Sequence, residues 1–141
     1  MTAGETKKEA PTSAEHRFPC KVYYEDTDCM GVVYHANYLK YFERGRTEFL
    51  AARGTTVQQY AEQGLMFVVY RVDATFRAPA RLGDLLDIVS RAKLTSAFRV
   101  TFEQRVERAG QLLVKADVEL VCIDKDGGLK PIPDIGITPA P

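Results

Sequence analysis

Cysteine and histidine are both scarce in this chain of 141 residues, with three of the first and two of the second. Cys20, Cys29 and Cys122 are odd in number and show no CxxC spacing. That speaks against a disulfide framework or a zinc site and fits a reducing compartment. Neither sign of charge is in excess, since 19 Lys plus Arg balance 19 Asp plus Glu. Without a basic surplus or stripe, nucleic acid is not an expected partner. No apolar run approaches the roughly 20 residues needed to span a bilayer. Met1–His16 is polar and charged, with no apolar stretch of the kind a signal peptide carries, and reads as a disordered tail. No serine sits in a GxSxG elbow, which removes the α/β-hydrolase route, and no metal-ligand cluster is visible. The expectation is a cytoplasmic protein with no metal and no transmembrane segment.

What is present is ordinary globular composition, 45% hydrophobic and 27% charged, enough for one domain. Phe18, Cys20, Val22 and Tyr24 alternate with polar residues, predicting a strand. From about His35, the residues Tyr38, Leu39, Phe42, Gly45, Phe49 and Leu50 recur every three or four positions. That marks a helix of about 18 residues, roughly 27 Å long, closed by Gly54. A short helix is expected over Thr56–Gln63. The period then changes to two. Met66, Val68, Tyr70, Val72, Ala74 and Phe76 are expected on one face of a strand. Three more apolar faces follow, through Leu86 and Ile88, Val100 and Phe102, and Val114 to Cys122. Short connections force antiparallel neighbours. The predicted class is therefore α+β, one antiparallel sheet of about five strands with a long helix on one face. The domain is placed at 17–134, between the N-terminal tail and a second tail over 135–141. Asp124-Lys125-Asp126-Gly127 lacks the spacing of a calcium loop and reads as a turn.

The chemistry is concentrated in Tyr24-Glu25-Asp26-Thr27-Asp28-Cys29-Met30-Gly31-Val32-Val33-Tyr34-His35-Ala36-Asn37-Tyr38. This is a strand delivering acids into a glycine-containing loop, followed at once by a helix start. A helix start offers unpaired N–H groups and partial positive charge, which stabilise an oxygen gaining negative charge. A nearby carboxylate can activate water or attack directly. Alternation puts Asp26 and Asp28 on the same side if the strand continues, so spacing alone does not choose between them. On spacing alone, acids that merely cap and solvate a helix start are the commoner case.

The run from Tyr24 to Leu50, Tyr-Glu-Asp-Thr-Asp followed by Gly-Val-Val-Tyr-His-Ala-Asn-Tyr-Leu-Lys-Tyr-Phe-Glu-Arg-Gly-Arg-Thr-Glu-Phe-Leu, resembles the Tol–Pal-associated acyl-CoA thioesterases. These are a branch of the 4-hydroxybenzoyl-CoA thioesterase family, and the likeness extends from about Arg17 to Pro133. The resemblance implies the hotdog fold, in which a sheet wraps a central helix, and hydrolysis of an acyl-CoA to a free acid and CoA. By position it puts the catalytic aspartate at Asp28 and the N–H that polarises the thioester carbonyl at His35. It also implies a homodimer or homotetramer with each site at a subunit interface, and no cofactor beyond the CoA of the substrate. Tyr34 and Asn37, flanking His35, are expected to bind substrate. Ser96 matches a small hydroxyl position near the pantetheine arm. Arg99 is a candidate for the CoA phosphates, as are Lys93 and Arg105. Cys29-Met30 departs from the small residues usual there, which bears on substrate choice more than on chemistry.

Several readings compete with this one. A Cys29–His35 nucleophile is disfavoured, because the neighbouring acid opposes the thiolate it needs. The His35 imidazole could orient Asp28 or move a proton itself. Glu43 and Arg46 read as a solvated helix face or as walls of the site. An acyl carrier protein could replace CoA as the thiol carrier. A non-catalytic acyl-CoA-binding or scaffolding subunit of an envelope complex is the rival from a different class, against which an intact Asp28 argues.

Overall fold

The computed structural model describes residues 10–137. Its elements are β1 (His16–Lys21), a 3-10 turn (Tyr24–Asp26), α1 (Asn37–Ala52), α2 (Val57–Glu62), β2 (Met66–Phe76), β3 (Leu85–Ser96), β4 (Arg99–Arg108), β5 (Gln111–Ile123) and β6 (Leu129–Lys130). The strands form one antiparallel sheet in the order β1-β3-β4-β5-β2, and β6 adds a short pair to β5. The predicted α+β class and hotdog arrangement hold; six strands replace about five only because of the two-residue β6.

The described part of the segment expected to be an N-terminal tail runs beside β3. Ser13 donates its N–H to Ala92 O at 2.8 Å, and Leu94 N–H reaches Pro11 O at 2.9 Å. Residues 1–9 and 138–141 lie outside the described residues.

Helix α1 buries Tyr38, Tyr41, Phe42, Gly45, Phe49 and Leu50, the stripe expected except that Tyr41 takes the place of Leu39. At Gly45 the helix backbone approaches the sheet closely. A Cβ there would lie 2.7 Å from Ile88 Cγ2 and 3.1 Å from Ser90 Oγ. Under it lies a buried polar set: Gln104 Nε2 donates to Phe42 O (2.9 Å) and Ser90 Oγ (2.8 Å), while Arg46 donates to Gln104 Oε1 (3.0 Å). Buried polar atoms are tolerable when paired in this way, and the set fixes how α1 sits on the sheet.

The helix lies mainly over β1, β3 and β4 and meets β2 where the rings of Tyr38 and Phe76 come within 5.6 Å. The β2 face also differs from the one expected. Phe67 and Val69 stand opposite Cys122 and Leu120, while Val72, Ala74 and Phe76 stand opposite Val118, Ala116 and Val114. Directly opposed residues share a face, and these β5 residues are buried. The inward set is therefore Phe67, Val69, Val72, Ala74 and Phe76. A register shift between Val69 and Arg71 inserts one residue and reverses the parity, so Met66, Val68 and Tyr70 do not share the face of Val72.

Candidate active site

Between β1 and α1 the chain makes a narrow loop. The 3-10 turn ends the strand before the acids, so Asp26 and Asp28 do not share a side. Asp26 is buried, and its Oδ2 accepts the Tyr23 N–H at 2.8 Å. Thr27 pairs with Val33, Asp28 N–H donates to Val32 O at 2.9 Å, and Gly31 turns the chain with φ 76°. A positive φ favours glycine here. The Asp28 side chain is exposed. Its Oδ1 accepts Met30 N–H at 2.8 Å and lies 3.4 Å from Val32 N, leaving Oδ2 without a partner among the described residues. The loop thus orients one carboxylate oxygen and frees the other.

Two contacts fasten this loop to the helix start and a third ties it to the segment after β2. Tyr34 N–H (3.0 Å) and Asn37 Nδ2 (2.9 Å) both donate to Asp26 O, and Val33 N–H donates to Ala80 O at 2.9 Å. From α1, the Tyr38 hydroxyl accepts Ala80 N–H at 3.0 Å, tying the helix to the loop after β2. The first turn has no side-chain cap. Asn37 N–H bonds back to Tyr34 O at 2.8 Å, while among the described residues the N–H groups of His35 and Ala36 have no partner. They face the positive end of a 16-residue helix. A cleft of about 260 Å³ opens beside them, lined by Val33, His35, Tyr38, Phe76, Arg77 and Pro79. The His35 ring is exposed, tilted against Tyr34 at 4.5 Å and edge-on to Phe76 at 6.4 Å.

Of the residues singled out in the sequence, Asp28, Tyr34, His35 and Asn37 therefore lie at one end of the sheet, with His35 but not Asp28 lining the cleft. Asn37 has its amide nitrogen occupied in holding the loop. Ser96 and Arg99 lie elsewhere. Lys21, just before the loop, pairs with Leu85 at the start of β3, and Ser96 ends that strand. Its 12 residues span about 36 Å at roughly 3.3 Å each. Ser96 Oγ accepts Phe98 N–H at 3.2 Å, and Arg99 lies over the Tyr70 ring at 5.4 Å with no carboxylate partner among the described residues. Arg105 is occupied by Glu15 and Glu107, both at 2.9 Å. Among the described residues, no three of His, Cys, Asp and Glu gather as a metal site.

At that far end a second cavity, about 400 Å³, separates α1 and α2 from the uncovered half of the sheet. Its polar wall is internally matched. Thr47 Oγ1 donates to Glu43 Oε1 at 3.1 Å, and Arg46 is held by Gln104. Burial brings the Arg46 guanidinium down to about 10. The remaining lining is apolar and includes Leu50, Val57, Ala61, Leu65 and Phe67. Sequence periodicity gave Glu43 and Arg46 as possible site walls but gave no signal for the α2 residues, which matter only once α2 folds over β2.

The sheet-wrapped helix defines a hotdog fold, and the free Asp28 oxygen, the unpaired N–H groups of His35 and Ala36 just ahead of α1 and the cleft beside His35 make up its candidate site. The chain belongs to the thioesterase-like superfamily, whose model matches residues 22–135. It is similar to the acyl-CoA thioesterase YbgC of Haemophilus influenzae, at 44% identity over 116 residues, 82% of this chain and 85% of the relative. Among solved structures, a probable thioesterase from Bartonella henselae superposes with TM-score 0.81 at 39% identity, covering 85% of this chain and all of that one (100%). A 1,4-dihydroxy-2-naphthoyl-CoA thioesterase from Synechocystis superposes with TM-score 0.80 at 26% identity, covering 86% and 92%.

Proposed function

We propose that this protein is an acyl-CoA thioesterase that works as a homodimer in the cytoplasm. The observation that carries this reading is the Asp28 carboxylate, with one oxygen oriented and one free, on the loop that leads into the unpaired N–H groups of His35 and Ala36 just ahead of α1. The thioesterase relatives support it. Among the described residues, no helix is long and apolar enough to cross a membrane.

In the proposed reaction the thioester carbonyl oxygen accepts the His35 N–H at the positive end of α1. Asp28 Oδ2 removes a proton from water as the water oxygen adds to the carbonyl carbon. The tetrahedral oxyanion is stabilised by the amide, then collapses, and the C–S bond breaks. The proton held by Asp28 passes to the departing thiolate, leaving a carboxylic acid and CoA. No metal or redox cofactor is required, because a thioester is already activated toward water. His35 acts through its backbone; its ring, packed on Tyr34 and Phe76, forms a wall of the cleft.

The dimer follows from β2. It is an edge strand of 11 residues, and its inward Val69, Val72 and Phe76 remain 39–50% exposed, although Tyr38 of α1 touches the Phe76 ring. A long apolar edge left open is a template for pairing with another chain. Antiparallel pairing of two β2 edges extends the sheet and lets each α1 approach the uncovered half of its neighbour. It also brings the Arg99 end of one subunit to the Asp28 end of the other, where Arg99 can meet CoA phosphate and Ser96 the pantetheine arm.

A thiol-release assay over acyl-CoAs from acetyl to long-chain and aromatic tests this. Turnover of at least one CoA thioester is expected. Binding of acyl-CoA without turnover of any of them would favour a binding subunit, and turnover confined to acyl carrier protein thioesters would make the carrier protein the substrate.

A further inference from the structure

From the buried polar atoms behind the catalytic loop, we infer that Tyr41 and Asp26 form a positioning pair. The Tyr41 hydroxyl donates to the free Asp26 carboxyl oxygen, and the pair holds Asp28 and the His35 N–H at reacting distance without touching substrate. This rests on the thioesterase reading proposed above.

Both halves of the site hang from Asp26. Its carbonyl oxygen accepts the Tyr34 N–H (3.0 Å) and Asn37 Nδ2 (2.9 Å), which fixes the backbone leading into His35. Its Oδ2 accepts the Tyr23 N–H (2.8 Å), which fixes the 3-10 turn that delivers Asp28. The other carboxyl oxygen, Oδ1, is left without a donor among the described residues, although the side chain is buried. A shift of about 1 Å at such a support can cost as much as about 10²-fold in rate.

The donor that Oδ1 lacks stands one helical turn beyond Asn37. Tyr41 is fully buried, and its hydroxyl has no hydrogen-bond partner among the described residues. Residues i and i+4 share a helix face, and long helical side chains lean back toward the N-terminus. Tyr41 thus leans over Asn37, toward the Asp26 that Asn37 already holds. Burial first, and the Asp26 side chain next, push the Tyr41 phenol well above its ordinary 10. The other polar neighbours do not compete for the hydroxyl proton. Arg44, 5.9 Å over the Tyr41 ring, has no acceptor, and the half-buried Cys20 thiol is a weak one. A buried donor without an acceptor therefore adjoins a buried acceptor without a donor, and each satisfies the other.

The test uses Tyr41→Phe, which removes one oxygen, and Asp26→Asn, which cannot accept from both Tyr23 and Tyr41. On the best acyl-CoA of the panel, each should lower kcat about tenfold and leave KM within about twofold of wild type. The double variant should be no slower than the slower single one, because the two residues act as a unit. A hydroxyl that merely fills space gives a different signature. Tyr41→Phe would then keep the wild-type kcat and melt at a higher temperature, having lost an unpaired buried group, and that result overturns the proposal. So does a loss that appears mainly in KM, or losses that multiply in the double variant. If Asp26→Asn does not fold, kcat, KM and the melt of Tyr41→Phe decide alone. Any of these failures leaves wild-type turnover intact, whereas wild type inactive on every acyl-CoA removes the thioesterase reading itself.

Discussion

Two aspartates one residue apart divide the work at the entrance to α1. Asp26 is buried and bonded to the Tyr23 amide; Asp28 is exposed with an oxygen to spare. The DTD spacing was legible in the sequence, but its consequence was not, because strand alternation put both acids on one side. The 3-10 turn that separates them arises from the Tyr23–Asp26 hydrogen bonds, a local contact that periodicity does not report. Gly45 is a similar case. Its place in the apolar stripe was visible from spacing, whereas the closeness of Ile88 and Gln104 belongs to the packed state. Replacing a helical glycine by alanine ordinarily gains about 1 kcal/mol. Here the added methyl meets Ile88 at 2.7 Å, and overpacking costs about 1–3 kcal/mol. Gly45→Ala should lower the urea midpoint at unchanged slope; a raised midpoint would show that the helix can lift off the sheet freely.

At the scale of elements, the succession of strand, long helix and further strands and the one-sided sheet were legible, because period and turn residues are local signals; the order β1-β3-β4-β5-β2 in the sheet was not. The inward face of β2 was not. One inserted residue near Tyr70 reverses parity, and nothing in the alternation of apolar residues marks it. The corrected face makes Val72 an inward residue that the chain's own helix leaves open. Val72→Lys should shift the protein from dimer to monomer in sedimentation, since a charge buried at the pairing edge costs several kcal/mol. A dimer that persists would place the interface elsewhere.

The connection from β2 to β3 is held by Arg108, which bonds to Asp84 at 2.6 Å. Burial pushes the Asp84 carboxyl up, but the Arg81 amide and the Arg108 guanidinium outweigh it and hold it below its ordinary 3.8. A carboxylate held low stabilises the fold above its ordinary value and loses that contribution as pH falls through the lowered one. Arg108→Gln should therefore lower Tm at pH 7, by an amount that shrinks as pH drops below 3.8. A difference independent of pH would assign the effect to packing alone.

For the molecule as a whole, the balanced charge and the missing elbow, disulfide and metal motifs narrowed the chemistry before any fold was considered. The resemblance over residues 24–50 then singled out Asp28. Asp28 and Arg99 stand at opposite ends of one sheet, and the dimer proposed above is what would bring the two together across paired β2 edges.

The most direct measurement is thiol release by Asp28→Asn against wild type, on the best acyl-CoA of the panel, with thermal unfolding recorded for both. Removing a carboxylate that takes the proton of water should slow kcat by about 10²-fold or more while the melt stays near that of wild type, because the side chain is exposed and its bonds are to its own loop. A folded Asp28→Asn protein retaining wild-type kcat would contradict the account, and the source of the base would have to be sought outside this loop.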